Sequence, residues 1–282
     1  MIAMLAMVLA THFFMMSDRA HFGDADDISS HTEVVEENGI REQKINFRQF
    51  KGKKLLVLVH GYNNNFHEAL ATYHQIHGEL GKQDLYDVII GYFWPGYDSR
   101  LEYFAAKKNA DLLASRMRTN LSALLFFAEK VDLLAHSMGN RLVLEALDHF
   151  TPINQTKTVQ NFYSIAAAVD NESIEKNQRF FFSTKQCQNI YVFYSERDKV
   201  LKLAYSLAER DKALGYEGAE NFSLVPENVQ FIDCTPCVDG HSAYFTSQPF
   251  YSFIANQLAK KISFSNQHLR LLADGGIELI SE

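Results

Sequence analysis

Short apolar runs alternate with amphipathic stretches along this chain. Leu55–Val59 (LLVLV) is apolar without a break, as a strand covered on both faces should be. Asp87–Trp94 (DVIIGYFW), Val131–Ala135, Gln160–Val169 (QNFYSIAAAV), Asn189–Tyr194 (NIYVFY) and Val229–Ile232 repeat the signal. Between these runs the period changes. Phe66, Ala69, Leu70, Tyr73, Ile76 and Leu80 mark one face of a helix, with Asn65 and Glu68 spaced as a capping box at its start. Further helices are predicted over Leu101–Phe127, from Leu142 through Leu147, over Val200–Leu214 and over Gln248–Lys261. Thr32–Phe47 reads as a hairpin: Val34 and Val35 approach an Asn38-Gly39 turn, and Ile40, Ile45 and Phe47 leave it. Leu271–Ile280 has no clear pattern.

Strands and helices alternating at this spacing predict an α/β fold, a mostly parallel central sheet with helices on both faces. The chain has no internal repeat and no linker, so a single domain over residues 1–282 is the simplest organisation. Asp170–Gln188 is too short to hold a large cap. A lid must then be small, drawn from the neighbourhood of Phe180-Phe181-Phe182 or from Gly215–Pro226.

Composition narrows the function. Hydrophobic residues make up 47% of 282, enough for a sizeable core, and the 22 Phe and 13 Tyr suit a wide apolar pocket. The net charge of −7, without a basic stripe, argues against nucleic acid as a partner. Three cysteines are too few for a disulfide framework and fit a reducing, cytoplasmic setting. Cys234-Thr-Pro-Cys237 has a C-x-x-C spacing but lacks the second pair that a zinc site would need, and neither metal nor redox use is expected of it. Met1–Met16 is almost wholly apolar, but its first basic side chain, Arg19, follows the run, unlike a signal peptide, and the run is short for a membrane span. A buried first strand near Val8–Ser17 is expected, with an exported or membrane-anchored form as the alternative. Oligomeric state is not legible.

The candidate chemistry centres on Ala135-His136-Ser137-Met138-Gly139, set between an apolar strand and an amphipathic helix. A small-x-Ser-x-Gly turn in that place is a nucleophile elbow. It lifts the serine hydroxyl to the tip of a sharp bend, and the residues two before and two after must be small because strand and helix pass close there. Ala135 stands where glycine is usual. The other reading of the turn is an ordinary strand–helix connection with serine as a cap.

A serine needs a base, and the base needs an orienting acid. Asp198 follows NIYVFY, and His241 follows the last predicted strand. Asp170 competes as the acid, and Asp198 could equally be a helix cap before Val200. Oxyanion donors are expected at the N–H of Met138 and of Tyr62, with Asn63 second to Tyr62. His60 reads as structural. His67, His74 and His77 share one helix without a matched carboxylate or cysteine, so no metal is expected. Tyr92, Phe93, Trp94 and Tyr97 could line a pocket or be core.

Together LLVLVHGYNNNF, DVIIGYFWPG, DLLAHSMGNRL, SERD and GHSAYF resemble the α/β-hydrolase superfamily, and within it a mostly bacterial, esterase-like branch catalogued as a domain of unknown function. Ser17-Asp18-Arg19 is similar to a Thr-Asp-Arg segment common there. The resemblance implies an α/β-hydrolase fold and a Ser-His-Asp hydrolase with no metal or organic cofactor. By motif match Ser137, Asp198 and His241 take the triad roles, in that chain order, with Tyr62 and Met138 at the oxyanion hole. The expected partner is a small-molecule acyl substrate, a carboxylic ester first. Thioesterase, amidase or lipase chemistry with the same triad is the alternative, and so is a catalytically silent binding module on the same fold.

Overall fold

The computed structural model describes residues 11–20, 22, 26–37, 46–97, 99, 101–148, 158–258, 269–271 and 276–280. In chain order these form β1 (His12–Arg19), β2 (Ile28–Glu36), β3 (Lys54–Val59), α1 (Phe66–Gly81), β4 (Val88–Phe93), α2 (Tyr103–Phe127), β5 (Lys130–His136), α3 (Gly139–Asp148) and β6 (Val159–Ile165). There follow α4 (Phe181–Thr184), β7 (Cys187–Tyr194), α5 (Ser206–Glu209), α6 (Leu214–Glu217), β8 (Val229–Asp233), α7 (Gln248–Leu258), β9 (Leu269–Leu271) and β10 (Ile277–Leu279).

One ten-stranded sheet runs β2-β1-β4-β3-β5-β6-β7-β8-β10-β9. Only the outermost pairs, β1 with β2 and β10 with β9, are antiparallel. The chain steps from β3 out to β4 on one side and from β5 out to β6 on the other. The carboxyl ends of β3 and β5 therefore flank a topological switch point, where open α/β sheets bind ligands.

Strand parity divides the core. Leu55, Val57 and Val59 of β3 face one way with Leu113, Met117 and Leu121 of α2 and Leu142 and Val143 of α3. Leu56 and Leu58 face the other way with Ala69, Tyr73 and Ile76 of α1 and Phe250 and Ile254 of α7. Asn65 closes its capping box with Glu68, its side chain accepting from the Glu68 N–H. Tyr92, Phe93 and Trp94 are fully buried and belong to the core; Tyr97 is half-buried against it.

Several expectations are corrected. β2 pairs with β1, and Phe47, expected to leave the hairpin in a strand, opens a 3-10 turn, Phe47–Phe50. The Asn38-Gly39 turn, Ile40 and Ile45 lie outside the described residues, as do Val8–Ala10. β6 ends at Ile165 instead of running to Val169. Ala166 takes φ 44°, and the Ala168 N–H turns to Ser137 O at 3.2 Å. The helix expected over Val200–Leu214 is a π-helical turn, Val200–Tyr205, that runs into α5 and stops at a left-handed Arg210 (φ 64°). The patternless end supplies β9 and β10 at the sheet edge. Among the described residues no helix is long and apolar enough to cross a membrane.

Asp132 on β5 is fully buried, accepts from Tyr86 OH (2.7 Å) and from the backbone N–H and Nδ2 of Asn161 (3.1 Å each), and pairs with Lys130 Nζ at 3.0 Å. Asp132→Ala should cost about 3 kcal/mol in urea unfolding, because it strands those donors, whereas Asp132→Asn should cost less.

Candidate active site

Three backbones converge at Ser137. The strand β5 ends at His136, and Ser137 takes φ 53°, a left-handed conformation that costs energy for a residue with a side chain. The turn is over-determined. The Ser137 N–H donates to Ile165 O at 3.0 Å, and Asn140 Nδ2 reaches Ala135 O, Ser137 O and Ile165 O at 3.0–3.1 Å. Gly139 has no alternative, since a Cβ there would stand 2.5 Å from His60 O and 2.7 Å from Val59 O. At Gly61 a Cβ would meet Ser137 Cβ at 2.7 Å. The loop after β3 thus runs against the serine because both contacts are made without side chains. Ala135, fully buried, fits without a glycine.

Beyond Gly61 the same loop carries the N–H groups of Tyr62 and Asn63. Asn63 donates its N–H to Gly96 O (3.2 Å), so it is already used, while Tyr62 precedes it in the loop. The Met138 N–H has no acceptor among the described residues and lies at the start of α3, where backbone dipoles favour negative charge. Arg19, fully buried at the end of β1, donates Nη2 to Asn64 O at 2.8 Å and Nη1 to Asp26 at 3.2 Å, bracing the loop from beneath. Its neighbour Asp18, also fully buried, accepts from Thr32, Tyr92 and Arg116. The Ser17-Asp18-Arg19 segment is therefore a polar footing under this corner.

His241 and Asp198 meet. Imidazole Nδ1 lies 2.7 Å from Asp198 Oδ2, and the carboxylate is fully buried. The other oxygen, Oδ1, accepts the N–H groups of Val200 and Leu201 at 3.0 Å each. Asp198 therefore serves both as a cap and as the imidazole's partner. Asp170 takes Tyr205 OH at 2.6 Å instead. The Ser137 hydroxyl makes no hydrogen bond among the described residues. In unliganded sites such a bond often tightens only when substrate binds.

His136, inside the pentapeptide, is the residue that sequence reasoning passed over. Its Nε2–H donates to His241 O at 2.8 Å, its ring packs on the His241 ring with centroids 4.6 Å apart, and Phe245 meets it edge-on at 5.1 Å. It joins the serine's own turn to the loop that carries the second imidazole. An ionisable ring at the last strand position before a chain reversal was the signal available.

His60 does the equivalent for the loop after β3. Its Nδ1–H donates to Gly61 O (2.8 Å), its Nε2 accepts from the Trp94 N–H (3.2 Å), and the two rings stack. Tyr73 OH ties the His60 N–H to Tyr92 O. Of the other histidines, His74 pairs with Glu37 at 2.5 Å and His77 Nε2 bonds Thr11 O at 2.9 Å. No group of three or more His, Cys, Asp or Glu that could hold a metal ion occurs among the described residues.

The expected lid segments are tied down. Ser183 of α4 donates to Leu144 O of α3 at 2.8 Å, and Phe180 is buried in the core, while Phe182 is exposed. Gly215 wedges between strand ends, its N–H on Ala167 O and its carbonyl on the Ser195 N–H. Two other segments are joined near the loop after β3. Tyr103 of α2 packs edge-on against Tyr62, and its hydroxyl, with Lys107, holds Glu209 of α5 just beyond the Asp198 turn. Phe104, Leu203 and Leu207 on these segments are exposed.

Burial, with a smaller push from Arg19, lowers the His60 pKa from 6.5 to about 3. Burial, with repulsion from His241, lowers that of His136 likewise to about 3. Both rings are neutral at pH 7. Unfolded, they regain an ordinary pKa and take up protons the folded chain refuses. Their contribution to stability is thus full above pH 6.5 and is lost as pH falls toward 3, by up to about 1.4 kcal/mol per pH unit for each ring. Urea midpoints should fall across that range, and His136→Gln should make the fall shallower.

The chain matches the family model described as "Alpha/beta hydrolase of unknown function (DUF900)" over residues 38–249. No curated protein sequence matches it. Solved structures with a similar fold include esterase PE8, at 11% identity and TM-score 0.42 over 75% of this chain and 94% of that one. Esterase Pf2001 of Pyrococcus furiosus gives 11% and 0.42 over 82% and 83%. Aspergillus fumigatus lipase B gives 14% and 0.45 over 77% and 55%, so this chain spans little more than half of the lipase. The family match, which takes in β3 through the elbow, the acid turn and His241, covers most of the sequence, and the chain belongs to this family of α/β hydrolases of unknown function.

Proposed function

We propose that this α/β hydrolase is a serine hydrolase that cleaves carboxylic esters through an acyl-enzyme. The observation that carries the reading is the 2.7 Å bond from His241 Nδ1 to buried Asp198, made by a histidine whose backbone is bonded to the residue before Ser137. That bond leaves Nε2 as the ring nitrogen able to act as base. As Ser137 Oγ bonds to the ester carbonyl carbon, its proton passes to His241 Nε2. Asp198 stabilises the resulting imidazolium. Charge on the former carbonyl oxygen is met by the N–H groups of Met138 and Tyr62. The imidazolium then protonates the departing alcohol. Water, deprotonated by the same nitrogen, releases the acid and restores the serine.

Met138 is favoured as a donor by its uncommitted N–H, and Tyr62 by the prior use of the Asn63 N–H. The mechanism calls on no metal or organic cofactor.

A panel of p-nitrophenyl esters of graded chain length, beside thioesters and amides, separates the options. Ester turnover is expected, falling about 10⁴-fold or more in Ser137→Ala and by a similar factor in Asp198→Asn, with folding intact by circular dichroism. Faster turnover of thioesters or amides would reassign the substrate class. Turnover undiminished in Ser137→Ala would sink the mechanism, and a folded protein inert toward the whole panel would favour a binding module.

A further inference from the structure

Cys234 and Cys237 are not used by the chemistry above, yet they stand where they could govern it. They occupy the turn between β8 and His241. The Cys237 N–H donates to Cys234 O at 3.0 Å and the Val238 N–H to the same oxygen at 2.8 Å. A turn closed in this way holds its first and fourth Cα atoms within about 7 Å, inside the reach of a disulfide with little further movement. Both thiols are free; Cys234 is fully buried and Cys237 is half-buried. This is the asymmetry of a dithiol with one sulfur open to attack and one behind it. Contact with Cys234 holds the Cys237 thiol below the ordinary range, while burial pushes Cys234 up. Cys187, the third cysteine, is buried on β7 and pushed up by burial.

The turn is wired into the segment that leads to Asp198 and into the start of α7. Val238 O accepts Ser195 Oγ–H at 2.8 Å at the start of the acid turn, and Thr235 Oγ1 accepts the Glu196 N–H at 3.0 Å. Ser247 Oγ–H points to Cys237 Sγ at 3.8 Å, while the same hydroxyl oxygen accepts the Phe250 N–H at 3.4 Å in the first turn of α7. Cys237 Sγ therefore takes part in seating the far end of the loop that carries His241. Drawing it onto Cys234 removes the acceptor that Ser247 uses.

We propose that Cys234 and Cys237 form a reversible dithiol–disulfide site that resets the loop bearing His241, with a small-molecule disulfide as the oxidant. The Cys237 thiolate attacks one sulfur of the oxidant and expels the first thiolate, leaving a mixed disulfide. Cys234, giving up its proton, attacks Cys237 Sγ and expels the second. Two protein thiols and one external disulfide become one protein disulfide and two external thiols. The link to hydrolysis rests on the function proposed above; the thiol chemistry and the loop's response do not.

The test treats the full-length protein with oxidised glutathione or with dithiothreitol. Intact and peptide mass should show the loss of two hydrogens confined to the Cys234–Cys237 peptide, reversed by dithiothreitol. Amide hydrogen exchange over residues 238–247 should differ between the two forms. Ester turnover should fall about tenfold or more in the oxidised form, since displacing a catalytic group by the order of 1 Å is enough for that. Cys237→Ser, at a half-buried position, should fold, hydrolyse like the reduced protein and be indifferent to oxidised glutathione. A persistent glutathione adduct without an internal disulfide would overturn the proposal, as would a disulfide that leaves both exchange and turnover unchanged. A reduced protein that hydrolyses nothing would count against the hydrolase reading alone, because mass and exchange still decide the thiol site.

Discussion

The arrangement depends on a crossing of backbones too close for side chains. The loop after β3 and the start of α3 pass so near each other that Gly139 could not carry a Cβ without striking two carbonyl oxygens, and Gly61 could not without striking Ser137 itself. That contact forces Ser137 into its left-handed conformation and sets the Tyr62 loop against the N-terminus of α3. The strain is held by bonds around it, chiefly the three carbonyls gathered by Asn140 and the Ser137 N–H on Ile165. It also truncates β6, because Ala168 bonds to Ser137 and no longer continues the strand.

Around this crossing two neutral histidines act as structural pins. His60 fastens the β3 loop to Trp94, and His136 fastens the elbow to the backbone of His241. Burial keeps each uncharged, against backbone hydrogen bonds that favour the protonated form. His241 differs: its ring meets a carboxylate, not a carbonyl. Three imidazoles lie within one corner of the sheet: two are bonded to backbone and the third, His241, to a carboxylate.

Much of this was legible from residue order. LLVLV, DVIIGYFW and NIYVFY are strands because they are covered on both faces, and an unbroken apolar run reports that directly. The Asn65–Glu68 box set the start of α1, since a cap is a local bond between residues near in sequence. What was not legible involved partners distant in sequence. Nothing in Val34 and Val35 says that their strand pairs with His12–Arg19. Helical spacing over Val200–Leu214 is shared by π-helical and α-helical turns, so the pattern could not place the break at Arg210. His136 escaped notice because its role lies in one bond to a carbonyl 105 residues away. At Asp198 the two competing readings, cap and imidazole partner, were both right in geometry, one for each oxygen.

The central claim is that the Ser137 hydroxyl is made reactive by His241. Its most direct measurement is the rate of covalent modification by a fluorophosphonate, followed by peptide mass across pH 5 to 9. The expected result is a single adduct on Ser137, formed at a rate that rises with pH through one ionisation and is abolished in His241→Ala. An adduct rate at Ser137 unaffected by loss of His241, or no adduct on the folded protein at any of these pH values, would contradict it.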